Sequence, residues 1–400
     1  MVNVAPAPRA SRKRIAVVMG TRPEAIKMAP VVHALRRHPE RFETLVVATA
    51  QHRQMLDQVM AIFRIVPDVD LDLMQPDQSL SELAARVLKT MDATLRDLQP
   101  DLLLVQGDTT TVLATALAAF HLGVPVGHVE AGLRSHDLRN PFPEEMNRRL
   151  TSVLTAIHLA PTPLAAEELQ QERIDPARIV VTGNTVVDAL HELLREPFAI
   201  DATPLAGLPL DRGRLLVVTS HRRESWGRDL ENTCLALRDL VERFADLQVV
   251  YPVHLNPNVR RTVIELLGEA GRIHLTEPLD YFTFVNLMRR CDLILTDSGG
   301  VQEEAPTLGK PLLVLRKLTE RPEAFHAGLS KVVGNSRETI VAEAGRLLED
   351  PDAYRRMVSA ANPFGDGHAA ERIVLALTRW SEGETPLLQP GEAFRPASAG

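Results

Sequence analysis

The strongest constraint on this chain is a rhythm. Short, nearly uninterrupted apolar runs are each followed by a longer amphipathic segment. RIAVVMG, TLVVAT, LLLVQGD and PVGHVE fall in the first half, and LLVVTS, LQVVYPV, CDLILTD and KPLLVL in the second. A short apolar run without polar alternation describes a strand buried on both faces, which is what parallel sheets covered by helices require. Strands alternating with helical patterns point to the α/β class. The series occurs twice, and between the two copies lies EPFAIDATPLAGLPLDRGR (196–214), punctuated by proline and glycine. The sequence therefore predicts two doubly wound, Rossmann-like α/β domains, over 14–195 and 214–366, with a ligand cleft between them. Residues 1–13 and the tail SEGETPLLQPGEAFRPASAG (381–400) lack periodicity and are expected to be disordered.

Composition excludes several function classes. A 400-residue chain with 45% hydrophobic and 24% charged residues has enough apolar material for two cores. The net charge of −7 supplies no global basic field, so neither nucleic acid nor an anionic membrane is an expected partner, and an anionic ligand must be met by local cations. No run approaches the length of a membrane span. MVNVAPAPRASRKR carries positive charge without an apolar segment behind it, so no secretory signal is expected. Cys234 and Cys291 sit in apolar stretches and suit a reducing compartment. The cytoplasm is the expected location. The histidines show no HExxH or Cys/His spacing, so no metal is inferred. DVDLDL (68–73) alternates with a period of two and reads as an edge strand with its aspartates outward rather than as a metal motif.

In doubly wound sheets the ligand lies beyond the carboxyl ends of the strands, so the residues just after each run are the candidates. In GTRPEAIKMAP (20–30), Gly20 permits a tight turn, Pro23 starts a helix, and Arg22 and Lys27 lie near its positive end. That is either an anion site or an exposed first turn. Asp108 follows LLLVQG and is either a helix cap or a functional carboxylate. Glu130 directly follows PVGHV, where partial shielding from water would favour proton transfer. FPEEMNRR (142–149) reads as a helix start in which Glu144 and Glu145 precede Arg148 and Arg149 by one turn. In the second half, His221 follows LLVVTS with two arginines behind it. Ser298, Gly299 and Gly300 follow CDLILTD as a small-residue turn that lets backbone N–H groups approach a phosphate, with Glu303 and Glu304 just after. TERPE adds Arg321.

GTRPEAIKMAP, QGDTTT, HVEAGLRS, NPFPEEMNRRL, VTGNTVVDAL, SHRRES, HLNPNV, TDSGGVQEEAPTLGKP and TERPEA, in this order from about residue 14 to about 380, closely resemble the bacterial non-hydrolysing UDP-N-acetylglucosamine 2-epimerases. The resemblance implies a glycosyltransferase-B-like fold whose C-terminal helix, about 367–380, returns to the first domain. It implies interconversion of UDP-N-acetylglucosamine and UDP-N-acetylmannosamine by elimination and re-addition of UDP, without cofactor or metal, in a homodimer that supplies cell-surface polysaccharide precursors. Matched motif by motif, Asp108, Glu130 and Glu144 are the acid/base carboxylates, with Arg148 and His221 as catalytic partners. Arg22, Lys27, His221, Ser298, Gly299 and Gly300 surround the phosphates. Phe284 sits by the uracil, Glu304 takes the ribose hydroxyls, and Arg321 lies near the substrate. Within FPEEMNRR this places Glu144 and Arg148 on the functional face and leaves Glu145 and Arg149 as a solvated pair.

One departure bears on regulation. Some members have a second nucleotide-sugar site that uses the AQHRQ motif, here Gln51 and Gln54, with an arginine where this chain has Asp77. A carboxylate there repels a diphosphate, so weak or absent substrate activation is expected. Competing readings are a hydrolysing epimerase, an epimerase for a modified UDP-2-acetamido sugar, a glycosyltransferase of the same fold, and a non-catalytic nucleotide-sugar sensor. The last two have no need of three carboxylates after the first-domain strands.

Overall fold

The computed structural model describes residues 12–49, 53–75, 78–220, 226–317, 319 and 321–396, without the side chains of 53 and 54. The first half runs β1 (Lys13–Met19), α1 (Arg22–Arg36), β2 (Phe42–Ala48), α2 (Arg53–Ile62), β3 (Val69–Asp70), α3 (Leu80–Leu98) and β4 (Leu102–Gln106). It continues through α4 (Thr110–His121), β5 (Val126–Val129), α5 (Glu144–Leu154), β6 (Ile157–Ala160), α6 (Pro163–Gln171), β7 (Ile179–Val181) and α7 (Thr185–Leu193). The second half opens with β8 (Arg214–Thr219), α8 (Arg228–Arg243), β9 (Leu247–Pro252), α9 (Pro257–Leu267), β10 (Ile273–Thr276), α10 (Tyr281–Arg290) and β11 (Leu293–Thr296). Then follow α11 (Gly299–Glu304), β12 (Leu312–Val314), α12 (Pro322–His326), β13 (Ser330–Val332), α13 (Arg337–Glu349), α14 (Pro351–Val358) and α15 (Ala369–Glu382). The chain divides into one unit of Met1–Ala189 with Gly365–Arg395, and a second whose main body is Leu190–Phe364.

Each unit is built on one parallel sheet. The first has the order β3-β2-β1-β4-β5-β6-β7 and the second β10-β9-β8-β11-β12-β13. Both orders reverse direction once, between β1 and β4 and between β8 and β11. At that switch the loops leaving two neighbouring strands diverge and open a crevice for ligand. Beside the first switch, β4 is buried along its whole length. Burial on both faces explains why such a strand does not alternate.

All eight apolar runs form strands. Four further strands, β6, β7, β10 and β13, have four residues or fewer and were not anticipated. A run that short does not stand out from loop sequence, and β6 also contains the polar His158. It is a strand because β5 and β7 flank it. DVDLDL does lie at a sheet edge, although only Val69 and Asp70 pair. Asp68 accepts a hydrogen bond from the Val46 N–H at 2.8 Å. The expected N-terminal extension lies outside the described residues as far as residue 11.

The expected disorder of residues 381–400 is overturned for those the structure describes. Beyond α15, Leu387, Leu388 and Phe394 are buried, the Phe394 N–H donates to the Val181 carbonyl at 2.8 Å, and Glu392 accepts from Arg379. Three apolar side chains in a turn-rich segment carry no periodic signal, yet each finds a buried place on the first unit. Helix α15 is held by an unusual cap. His368 precedes it without capping, and the N–H groups of Ala369 and Ala370 donate instead to Asp188 of α7, at 3.2 and 2.8 Å. Burial pushes the Asp188 carboxyl up to about 6 even though those two N–H groups favour its charge. Asp188→Ala strands two buried donors, and we expect a loss of about 1–2 kcal/mol in urea-unfolding stability, where an unchanged midpoint would contradict the cap.

Candidate active site

The first unit brings several charged groups together at the carboxyl end of its sheet. After β1 the chain turns at Gly20, where a Cβ would lie 2.3 Å from Thr49 Oγ1. Thr21 caps α1, and Glu24 closes a capping box with it. This box is buried and reaches further than usual. Glu24 Oε2 accepts from the N–H groups of Gly20 (2.6 Å) and Thr21 (3.1 Å), while Oε1 accepts from the Thr109 hydroxyl at 2.9 Å. Burial pushes the Glu24 carboxyl up, against the pull of those donors. Glu24 therefore ties the loop after β1 to the loop after β4. It was missed at the sequence level, although its signal, Thr-x-x-Glu ahead of a helix, is present in TRPE.

The loop after β4 resolves the two readings of Asp108. Thr109, not Asp108, caps α4, its hydroxyl accepting from the Val112 N–H at 3.2 Å. The Asp108 carboxylate turns instead to Arg148, whose Nη2 donates to Oδ2 at 2.5 Å, and the Asp108 carbonyl accepts from Asn147 Nδ2 at 2.9 Å. Beneath the loop, His128 Nε2 donates to the Gly107 carbonyl at 2.7 Å.

Arg148 comes from α5, which begins as expected just after Pro143 with acidic residues in its first turn. The division of its charges differs from expectation. Glu145 is not solvated but 0% exposed. It accepts from Arg148 Nη1 (3.1 Å), Arg149 Nε (2.9 Å) and the Ser135 N–H (3.0 Å). The reason is that the face α5 turns inward is wholly polar: Glu145, Asn147, Arg148, Thr151 and Ser152 are its buried residues. Three-residue spacing puts Glu145 beneath Arg148, so one guanidinium bridges two carboxylates from different elements. Glu144 is half-buried in the same first turn.

Glu130, next to β5, has a left-handed backbone with φ of 65°, a conformation that costs a non-glycine residue about 1–3 kcal/mol and that collects at functional sites. The Glu130 and Ala131 N–H groups, donating to the Leu159 carbonyl at 3.0 and 3.2 Å, hold it there. Its Oε2 accepts from Lys27 Nζ and, at 3.2 Å, from Asn184 Nδ2. Lys27 thus lies in α1 as an ion-pair partner of Glu130, both side chains nearly buried, rather than as a cation exposed at the helix end. Arg22 is exposed at the first position of α1. Asn184 had not been singled out; Asn-Thr at the start of a helix gave no sign that it would meet Glu130.

In the second unit the loop after β11 starts with Asp297, fully buried, its Oδ2 accepting from the Ser220 hydroxyl at 3.2 Å. Ser298 occupies the N-cap position of the short helix α11 without a side-chain capping bond, and the helix starts at Gly299 and Gly300. Glu303 and Glu304 are both buried in it. Glu303 Oε1 accepts from Arg321 Nε at 2.5 Å, and Glu304 Oε1 from the Tyr281 hydroxyl at 3.0 Å. Gln302 links the same loops, accepting from the Thr319 hydroxyl at 2.5 Å. Phe284 is half-buried in the first turns of α10. His221, Gln51 and Asp77 lie outside the described residues, as does the side chain of Gln54.

Among the described residues there is no cluster of three or more His, Cys, Asp or Glu side chains able to hold a metal ion, and no helix long and apolar enough to cross a membrane. Cys234 and Cys291 are unpaired, and burial pushes both thiols up to about 12. The chemistry on offer is that of carboxylates steered by buried cations.

Residues 33–378 match the family described as UDP-N-acetylglucosamine 2-epimerase. The chain is 51% identical over 370 residues to the UDP-N-acetylglucosamine 2-epimerase of Escherichia coli strain K12, spanning 91% of this chain and 98% of that one. It is 48% identical over 361 residues to the enzyme of the same description from Bacillus subtilis, spanning 90% and 94%. Its fold superimposes with a TM-score of 0.85 on the UDP-N-acetylglucosamine 2-epimerase of Neisseria meningitidis bound to UDP-N-acetylglucosamine. That pair shares 45% identity over 92% of this chain and all of the other.

Beneath these loops, His128 and His158 are register partners on β5 and β6, both buried. Burial holds His128 down to about 4 and His158 to about 3. A histidine kept neutral in the fold favours folding fully above its unfolded pKa near 6.5, and that contribution is lost as pH falls from there toward 4 and 3. We expect stability to fall over this window by up to about 1.4 kcal/mol per pH unit for each histidine. Asp188 and Glu24, both raised, act in the opposite direction, so the comparison is with His158→Phe. Its urea-midpoint slope between pH 6.5 and 4.5 should be shallower than the parent's, and equal slopes would contradict a neutral buried His158.

Proposed function

The chain belongs to the UDP-N-acetylglucosamine 2-epimerase family, and on that footing we propose that it interconverts UDP-N-acetylglucosamine and UDP-N-acetylmannosamine. The observation that carries this reading is the set of carboxylates in the first unit: Asp108 steered by Arg148, Glu130 paired with Lys27, and Glu144 at the head of α5.

The proton on carbon 2 is not next to a carbonyl, so departure of the leaving group must carry much of the barrier. A carboxylate takes that proton while the bond from carbon 1 to the β-phosphate oxygen breaks, its electrons leaving with UDP and a carbon–carbon double bond forming. The result is 2-acetamidoglucal. Protonation of carbon 2 from the opposite face, with UDP attacking carbon 1 again, gives the other epimer. The sequence is redox-neutral and calls for no cofactor. Removing and delivering a proton on opposite faces needs more than one carboxylate, and three are present.

Charge grows on the diphosphate as carbon 1 lets go, so donors must face it. Arg22, His221, Ser298, Gly299 and Gly300 would serve there, with Lys27 shared between Glu130 and the phosphates. Glu304, held at one oxygen by Tyr281, would take the ribose hydroxyls, Phe284 would lie by the uracil, and Arg321, anchored by Glu303, would lie near the substrate. The product would feed cell-surface polysaccharide assembly from the cytoplasm.

The polar inner face of α5 leaves Met146, Leu150 and Val153 on its outer face, 38%, 45% and 76% exposed. Spaced at i, i+4 and i+7, they form an apolar stripe that we assign to a second copy of this chain in a homodimer.

Incubation with UDP-N-acetylglucosamine in deuterated water, read by NMR, should give both epimers with deuterium at carbon 2. Net release of free sugar would favour the hydrolysing alternative, a turnover confined to a modified UDP-sugar would favour the other, and no exchange would remove the epimerase reading. Asp108→Asn should slow exchange by about 100-fold or more while UDP still binds. In sedimentation the parent should run at twice the chain mass and Leu150→Asp/Val153→Asp at once; a parent monomer would contradict the dimer.

A further inference from the structure

Asp108 sits between two residues that are each held from below, and the arrangement assigns a role to side chains that the proposed chemistry does not use. Gly107 adopts a φ of 82° with nothing within 4 Å of where a Cβ would be, so packing does not fix its conformation. Its carbonyl is instead fixed by His128 Nε2 at 2.7 Å. On the other side, the Thr109 hydroxyl donates to Glu24 Oε1 at 2.9 Å. Both gripping side chains are buried, His128 at 1% and Glu24 at 3% exposed, and they come from different elements, β5 and α1.

We propose that His128 and Glu24 are positioning residues for Asp108, clamping Gly107 and Thr109 so that the carboxylate between them is delivered to its reacting position. The proposal rests on the reading of Asp108 as a catalytic carboxylate. A loop with a glycine at its apex has many accessible shapes, and displacement of a reacting group by about 1 Å can cost on the order of 100-fold in rate. Arg148 and Asn147 hold Asp108 directly, but both are on α5. The clamp refers the same residue to the sheet and to α1. Glu24 carries a second consequence, because its other oxygen binds Gly20 and Thr21 at 2.6 and 3.1 Å. The loop with Arg22 and the loop with Asp108 thereby share one carboxylate. Burial, which holds His128 down to about 4, keeps its ring neutral at working pH, and the bond to Gly107 then requires the proton on Nε2.

Steady-state kinetics on His128→Leu and Glu24→Ala tests this. Each should lower kcat by about 10- to 100-fold. His128→Leu should leave KM within about threefold, because its grip acts on a reacting group rather than on ligand binding. Glu24→Ala also frees the loop carrying Arg22 and should raise KM as well. His128→Gln keeps an N–H donor near Nε2, and Glu24→Gln keeps the acceptor for Gly20 and Thr21 while offering a donor to Thr109; both should recover most of the lost kcat. Should the buried replacements fail to fold, Thr109→Val against Thr109→Ser cuts and keeps the same bond from the more exposed side, with the loss expected only for valine. Asp108→Asn is measured in parallel. If it is inactive while His128→Leu and Glu24→Ala turn over within twofold of the parent, or if the glutamine variants recover nothing, the clamp is wrong. If Asp108→Asn is fully active, the reading of Asp108 itself is wrong.

Discussion

The Arg148 guanidinium, lodged between Asp108 and Glu145, is the interaction on which the first unit's site depends. Its side chain is only 7% exposed, and Glu145 is at 0%. Charges taken that far out of water are costly, and the cost is offset only by close geometry and by further donors on the remaining lone pairs. Glu145 has them in Arg149 and the Ser135 N–H, while Asn147 holds Asp108 through its backbone carbonyl. Removing Arg148 would take from Asp108 its ion-pair partner and from the buried Glu145 one of its two guanidiniums, so the network holds the helix as well as the chemistry. It also turns α5 inside out. A helix that spends its inward face on Glu145, Asn147, Arg148, Thr151 and Ser152 must put Met146, Leu150 and Val153 outward.

The sheet topology explains why these groups meet. In the first unit β1 and β4 are neighbours although most of a hundred residues separate them in sequence, so Gly20 to Glu24 and Gly107 to Thr109 emerge side by side. Glu24 and Thr109 exploit that adjacency directly. Glu130 follows the next strand over, and Lys27, one turn beyond Glu24 on α1, reaches it. Asp108 and Glu130 are thus set by strand ends and their partners Arg148 and Lys27 by helices, with rigid elements behind each. The second unit repeats the order, and its switch brings Ser220 beside Asp297.

Much of this was legible beforehand. The eight long apolar runs were legible because burial on both faces leaves an unmistakable pattern, and the candidate residues because strand carboxyl ends are where such sheets bind ligand. Less legible was whatever depended on a partner far away in sequence. Asp108 fitted both a cap and a functional carboxylate as local pattern, until Thr109 took the cap. Lys27 looked like a helix-end cation until it met Glu130. Glu145 looked solvated because an i,i+4 pair with Arg149 is the same sequence pattern whether the helix face turns in or out. β6 was hidden by its brevity, and the packed tail by the lack of any period in its three buried apolar residues.

Local patterning by itself determined the class of the fold, the number of sheets and the residue types at the strand ends, because periodicity and turn chemistry act over a few residues. Tertiary structure decided which cation serves which carboxylate, which face of α5 is inside, and that Glu24 and His128 grip the neighbours of Asp108. The physical reason is desolvation: a charge's partner and environment are set only once distant strands have come together and excluded water, and no short stretch of sequence records which of its charges that will be.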